Sequence, residues 1–239
     1  MKGVAAIVGL LVLAVLAQIG LLRQRPTGNP ALAESAFAAF GGLRSIASEV
    51  VWFRADRLQD EGRYVELAQL AQALTLSDPH TPEVWSYAAW NLAYNISVMM
   101  TTPEDRWRWV SSAIRLLRDS GLKYNPESSD IHRELAMIFE MKIAIDIDSA
   151  AASYRRYWRQ IVEDVASRNA WSELRMDPER MADMERRYGV TDRGDAAYSA
   201  LYWALEGLRC PEEHSHPYLH EVVRQCVALY RKSHGDGNG

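Results

Sequence analysis

Cysteine, lysine and surplus positive charge are all scarce in this chain. Its 239 residues include 2 cysteines, too few for a scaffold held by disulfides. The formal net charge is −4, so the basic surface that neutralises phosphates is missing and nucleic acid is not an expected partner. β-Branched residues are sparse, whereas alanine, leucine, arginine and glutamate are abundant. Because this composition favours helices, we expect an all-α protein.

The signatures of common catalytic sites are also absent. The sequence has no HExxH motif, no G-x-S-x-G elbow, no Walker loop and no dinucleotide fingerprint. Asp146 and Asp148 are acidic neighbours close to Glu140, but two acids at this spacing do not face each other. Asp148 is better explained as the N-cap of the next helix. We therefore expect a non-enzymatic protein that uses no cofactor.

One long apolar run stands at the amino terminus. Residues 3–22 carry no charge, and Gln18 is their one polar side chain. Twenty helical residues rise about 30 Å, the thickness of the hydrocarbon core of a bilayer, so the run predicts a transmembrane anchor. A cleaved signal peptide is the alternative, although the A-x-A pattern at 31–33 lies far beyond the apolar run.

The flanking charges do not determine how this anchor is oriented in the membrane. Lys2 stands on one side, and Arg23 and Arg25 stand on the other, so the flanking charges nearly balance. A span that begins this early favours a soluble part outside the cytoplasmic membrane; a cytoplasmic soluble part is the alternative. Residues 23–46 are predicted to be a linker with a short helix. A stripe of small residues could instead pack the span into a larger membrane complex: Gly3, Ala5, Ala6 and Gly9.

Residues 48–81 form a complete helix–turn–helix unit. Its two helices meet at 62–64, and Pro79 ends the second helix. Small residues let antiparallel helices approach closely, and glycine suits the turn between them. This pattern resembles the tetratricopeptide repeat, a unit of about 34 residues. The positions that carry the resemblance are Ala55, Gly62, Tyr64, Ala71 and Pro79, followed in the next unit by Trp85 and Ala89. Leu67 and Val51 depart from the family pattern.

Further units follow this one. Residues 82–126 form a second unit with an insertion of about ten residues, in which a first helix reaches Met99 and a second begins after a Thr102 N-cap. Residues 127–166 form a third unit, so the predicted repeats cover 47–166. Beyond it the register is lost, and 167–232 are predicted to be a helical cap. The predicted cap helices are Ala170–Leu174, Pro178–Tyr188, Gly194–Leu208 and Pro217–Arg231, and 233–239 are expected to be a disordered tail.

A second, fainter resemblance comes from the cap. The run from Tyr188 to Ala204 is similar to a segment of uncharacterised bacterial membrane-anchored repeat proteins. That resemblance names no activity. Together with the predicted anchor it leads us to expect a single-pass protein of the bacterial inner membrane, with a periplasmic soluble part or, as the alternative, a cytoplasmic one.

The repeat resemblance also implies a binding surface. The first helix of each unit would line a concave groove, with amide and aromatic side chains suited to a protein segment. The residues placed there are Trp52, Asp56, Gln59, Trp90, Asn91, Tyr94 and Asn95. Packing of Trp90 and Tyr94 against the third unit is the alternative. We expect a scaffold or accessory subunit that binds other proteins in a membrane-associated or envelope assembly.

A cysteine- and histidine-rich stretch near the carboxyl end offers a different function. Thiolate and imidazole are zinc ligands, and five such residues lie close together: Cys210, His214, His216, His220 and Cys226. Their spacing matches no standard zinc pattern, and Cys226 would lie about 14 Å along the last helix. A metal-binding or enzymatic loop of Cys210, His214, His216 and His220 is therefore the alternative to a polar loop between helices.

Overall fold

The structure is a computed structural model that describes residues 57–58, 61–63, 66, 69–70, 75, 78–211 and 218–235. These residues are all helical or in connecting turns, without a strand, which confirms the all-α prediction. None of the described helices is long and apolar enough to cross a membrane. The predicted anchor 3–22 and linker 23–46 lie outside the described residues.

The first described hairpin comprises α1 (Pro82–Trp90) and α2 (Pro103–Arg115). The α1 run continues as a π-helix over Asn91–Ile96 and a 3₁₀ turn over Ser97–Met99, so it reaches the predicted end. The Thr102 hydroxyl accepts a hydrogen bond of 3.1 Å from the Asp105 amide, and proline occupies the first turn of α2. This is the N-terminal chemistry that the sequence predicts.

The second hairpin comprises α3 (Ser129–Met137), its π-helical continuation Ile138–Ala144, and α4 (Ala151–Ser167). The Ser128 hydroxyl caps α3 by accepting the amide of Ile131 at 3.3 Å. Before α4, the Asp148 carboxylate accepts the amide of Ala150 at 2.9 Å. Asp148 therefore bonds the backbone at the start of α4, as predicted.

Three consecutive helices end in π-helical segments. Besides the two segments already described, a π-helical segment over Leu116–Gly121 follows α2. A last helical turn at Leu122–Tyr124 comes after it. A π-helical turn is wider than an α-helical turn and accommodates additional residues. The extra length expected in 82–126 is thus taken up by longer helices and not by a long loop.

Equivalent helices of the two hairpins run parallel. Near the start of α1 and α3, Trp85 and Ile131 both contact the same glycine, Gly121. Near their ends, the Tyr94 hydroxyl donates to the carbonyl oxygen of Met137 at 3.4 Å. Neighbouring contacts at both ends require the two helices to point the same way.

Helices α2 and α4 are parallel by the same criterion. The Tyr157 hydroxyl of α4 donates to Glu104, in the first turn of α2, at 2.6 Å. Farther along, Arg118 after α2 and Val165 near the end of α4 line one cleft.

The carboxy-terminal part contains a 3₁₀ turn (Trp171–Leu174), α5 (Pro178–Tyr188), α6 (Ala196–Gly207) and α7 (Leu219–Gly235). Aspartates cap two of these helices: Asp177 accepts the amide of Glu179 at 2.9 Å, and Asp195 accepts the amide of Ala197 at 2.7 Å. The predicted helices are all present, although the first of them is a 3₁₀ turn.

Helix α6 is the most deeply buried helix of the described part, and every one of its residues except Leu205 is buried. It packs between α3 and α7. Its end lies beside the start of α3, because a Cβ on Gly207 would stand 3.1 Å from the Cβ of His132. Its start bonds to α4, where the Trp158 indole donates to Ser199 at 3.0 Å. Trp158 packs on Phe139, near the end of α3, so α6 runs antiparallel to α3.

The predicted tail requires one correction. Helix α7 extends to Gly235, so the disordered tail expected over 233–239 does not begin at Ser233. The Ser233 hydroxyl donates to the carbonyl oxygen of Tyr230 at 2.9 Å, and the His234 ring stacks on Tyr230 with ring centroids 4.1 Å apart. These contacts continue the helix, and residues 236–239 lie outside the described chain.

Parts of the repeat turn at 62–64 are described. Gly62 has a φ of +69°, and the amide of Arg63 donates to the carbonyl oxygen of Leu58 at 2.8 Å. This is a glycine-terminated helix end of the Schellman type. The buried side chain of Leu58 packs against Leu70 and against Tyr87 of α1. The other predicted positions of this unit, Ala55, Tyr64 and Ala71, lie outside the described residues.

The junction between the first two units is built around one carbonyl. The oxygen of Pro79 accepts hydrogen bonds of 2.8 Å from both the Trp85 indole and the Asn125 amide. Trp85 and Ala89, predicted as structural repeat positions, are both buried.

Candidate functional site

The two aromatic residues that the sequence places on the groove remain neighbours but differ in exposure. Trp90 is 37% exposed, and its ring centroid lies 6.3 Å from that of Tyr94. Tyr94 is half-buried against the second hairpin, with its hydroxyl bonded to Met137 and the Lys142 ammonium 5.5 Å from its ring centroid. Trp90 is therefore the more available contact, and Tyr94 also joins two hairpins.

The two predicted groove amides act within the helix. Asn91 is fully buried; its amide donates to the carbonyl oxygen of Tyr87 at 3.1 Å. Its side-chain oxygen accepts the amide of Asn95 at 2.8 Å. Both asparagines lie in the π-helical segment after α1, where side-chain bonds of this kind satisfy displaced backbone groups. The remaining groove residues, Trp52, Asp56 and Gln59, lie outside the described residues.

Two buried acids, Glu134 and Glu140, act electrostatically on Tyr94, a connection that the sequence alone did not indicate. Glu134 and Glu140 are both buried on the α3 run, and burial raises the pKa of each carboxyl. Burial raises the pKa of the Tyr94 phenol, and both carboxylates raise it further. Arg133 pairs with Glu134 at 3.3 Å, while its Nε is buried without a hydrogen-bond partner. No local sequence signal marks Glu134 and Glu140 as buried.

The cysteine- and histidine-rich stretch was predicted as a metal-binding loop or a polar loop, and the contact described there joins Cys210 to His132 of α3. His214 and His216 lie outside the described residues, and His220 is exposed. The Cys210 sulfur lies 3.7 Å from Nδ1 of His132, on α3. That nitrogen is also 2.7 Å from the carbonyl oxygen of Ser128, which fixes its hydrogen there and leaves it unable to accept the thiol proton.

The pKa shifts agree with a structural role for these thiols. Burial raises the pKa of Cys210 to about 11, and it raises that of Cys226 further still. Burial also lowers the pKa of His132. Reactive thiols have lowered pKa values, so the raised pKa does not favour Cys210 as a nucleophile.

One group of potential metal ligands occurs within the described residues. Asp192, Asp195 and His234 bring their ligand atoms within 4.8 Å of one another. Arg159 binds both oxygens of Asp192, at 3.0 and 2.8 Å, and Asp195 caps α6. A guanidinium in this position opposes a cation, so the group fastens α7 to the loop before α6.

The acids near 146–148 also have structural partners. Asp148 is buried and bonds to Lys142, Arg106 and Tyr154, which belong to three different helical runs. Asp146 pairs with Arg155 on the surface. The structure thus brings Asp148 into an ion network and not into a pair of catalytic carboxylates.

A cleft of about 470 Å³ is lined mainly by residues of α2 and α4 and includes no residue of α1. Aromatic and aliphatic side chains form much of its lining, with arginines and carboxylates at its edges. The lining includes Trp107, Arg115, Arg118, Tyr157, Asp164 and Glu173. This cleft was not singled out from the sequence, because no sequence signal shows that α4 lies opposite α2.

Comparison of the whole chain with protein-family models, curated proteins and solved structures finds no match.

Proposed function

We propose that this protein is a non-enzymatic helical-repeat scaffold, similar to tetratricopeptide-repeat proteins, that binds a segment of another protein. The parallel packing of α1 with α3 and of α2 with α4 supports the repeat assignment, because stacked copies of one hairpin place equivalent helices side by side in the same direction. The turn at Gly62 lies next to Leu58, whose side chain packs against Tyr87 of α1. This arrangement is the one expected if another hairpin precedes α1.

The carboxy-terminal part suits the role of a closing cap. A further repeat would place its first helix parallel to α3, whereas α6 runs the opposite way. The reversed helix ends the stacking direction, and α7 covers its other side. An array closed in this manner offers its remaining surface to partners.

The exposure of Trp90 is the observation that carries the binding proposal. Large aromatic side chains near the surface dominate many protein interfaces. Trp90 projects from the first helix of its hairpin, and Val98 and Met99 are exposed at the end of the same run. A partner segment that covers Trp90 would bury apolar surface on a rigid helix.

The proposed location follows from the sequence. An anchor over 3–22 would hold the repeats at a bacterial inner membrane, most simply on the periplasmic side, with a cytoplasmic placement as the alternative. Partners would then be subunits of a membrane-associated assembly.

Quantitative co-purification tests this proposal. The full chain, wild type or Trp90→Ala, is isolated from native membranes after chemical crosslinking, and Ile147→Ala serves as the control because Ile147 is also exposed and apolar. We expect Trp90→Ala to reduce a specific partner about tenfold, which corresponds to about 1.4 kcal/mol, with an unchanged Tm. Equal recovery with both variants would overturn the proposal.

A further inference from the structure

Side chains that line the cleft between α2 and α4 bond to neighbours near the start and near the end of α4. At one end the Tyr157 hydroxyl bonds to Glu104 at 2.6 Å, and the rings of Trp107 and Tyr157 lie 5.9 Å apart. At the other end Arg168 bridges Asp164 and Glu173, each at 2.7 Å.

Most charges that line the cleft are matched by a neighbour. Arg118 is buried and binds both oxygens of Asp119, at 2.7 and 2.9 Å. Asp164 and Glu173 share the guanidinium of Arg168, whose hydrogen bonds lower the pKa of both carboxyls. These two acids are therefore engaged with Arg168 at one end of the cleft.

Arg115 differs from the other charges. Its guanidinium donates to the hydroxyl of Ser112 at 3.1 Å, and within the described residues no carboxylate lies within ion-pair distance of it. An arginine that lines an aromatic cleft can pair with a carboxylate while an apolar group occupies the adjacent space. The cleft thus combines one available positive charge with an apolar floor.

We propose that this cleft is a second protein-binding site, separate from Trp90, which takes an acidic segment of a partner with an aromatic or aliphatic side chain next to a carboxylate. The carboxylate pairs with Arg115, and the apolar side chain packs on Trp107 and Ile161. The volume of about 470 Å³ matches pockets for small ligands. The cleft is nevertheless open along its length between two surface helices, which suits side chains presented by a peptide.

A matched pair of peptides provides the test. One is a blocked nonapeptide that alternates Phe with Asp, and the other replaces each Asp by Asn. Binding to the full chain in a non-ionic detergent is measured by fluorescence anisotropy. Wild type is compared with Arg115→Gln and with Arg108→Gln, an exposed arginine of α2 that pairs with Asp105 outside the cleft.

We expect saturable binding of the acidic peptide below about 1 mM and at least about tenfold weaker binding of the amide peptide. Arg115→Gln should remove that difference, whereas Arg108→Gln should preserve it. Trp107→Phe, which retains an aromatic ring and the fold, should weaken both peptides. Absence of binding, equal binding of the two peptides, or equal loss with both arginine variants would overturn the proposal.

Discussion

Lys142 and Asp148 form an ion pair of 2.6 Å in which the two side chains are only 5% and 4% exposed. The pair joins the π-helical end of the α3 run to the turn that precedes α4. Arg106 of α2 binds the same carboxylate at 3.0 Å. Asp148 therefore ties the second hairpin to the first.

Removing one member of this pair should be costly. We expect Lys142→Met to lower the free energy of unfolding by about 3 kcal/mol, because Asp148 would keep a buried charge with one cation fewer. The control is Arg186→Gln, which breaks a surface pair with Asp183 and should cost less than about 1 kcal/mol. Denaturant titration measures both, and equal effects would contradict the structural role assigned to Asp148.

The same pair makes a prediction about pH. Burial tends to raise the pKa of Asp148, but Lys142, the Ala150 amide and the Tyr154 hydroxyl together outweigh it, and the pKa lies below the usual 3.8. A lowered pKa contributes stability above the unfolded value and loses it as pH falls through the folded value. The Lys142→Met penalty should therefore persist at about pH 5 and shrink below about pH 4.

Glu140 should behave in the opposite manner. It is buried, no described side chain bonds to its carboxylate, and burial followed by the charge of Glu221 raises its pKa. A raised carboxyl pKa destabilises the fold at higher pH, because the unfolded state ionises first. Glu140→Gln should thus raise Tm at about pH 8 and leave it unchanged at about pH 4. A Tm that falls at the higher pH, relative to an exposed Glu83→Gln control, would contradict this account.

The end of α5 provides a test of backbone conformation. Gly189 caps the helix with a φ of +71°, and nothing lies within 4 Å of a Cβ added there. Gly189→Ala should cost about 1 kcal/mol through backbone strain alone, and Gly189→Asn should cost less, since asparagine tolerates this conformation. Chemical denaturation distinguishes the two; an identical cost would point to a lost contact instead.

The direction of α6 can be checked by crosslinking. The Cys210 sulfur lies 3.7 Å from the His132 ring, so His132→Cys should place two thiols within reach of a disulfide. Oxidation should yield an intramolecular crosslink that disappears in His132→Cys, Cys210→Ser. Failure to crosslink in the folded protein would argue against the antiparallel packing of α3 and α6.

Local chemistry explains which features the sequence predicts well. Thr102, Ser128 and Pro178 determine where helices begin, because caps and proline act within one turn of chain. The glycine turn at Gly62 is equally local. Helix boundaries in the carboxy-terminal part follow the same signals except at the end of α7. There the small, polar residues from Ser233 onward predict a frayed tail, but His234 stacks on Tyr230 and the helix continues.

Features that depend on distant contacts were not predictable in this way. The burial of Asn91 has no local signal. The packing of Tyr94 against the third unit, seen in its bond to Met137, was one of two alternatives that the sequence left open. The periodicity of the sequence does not indicate that α6 runs antiparallel to α3. Arg115 lines a cleft only because α4, with Tyr157 some forty residues later in the sequence, packs beside α2.

Photo-crosslinking from position 90 tests the central claim most directly. A benzoylphenylalanine residue is placed at Trp90 in the full chain, and at Ile147 as the exposed apolar control, before irradiation of intact cells. The proposed scaffold predicts a discrete protein adduct from position 90 that is absent from position 147. No adduct at position 90, or the same adducts at both positions, would contradict the assignment of this helix face to partner binding.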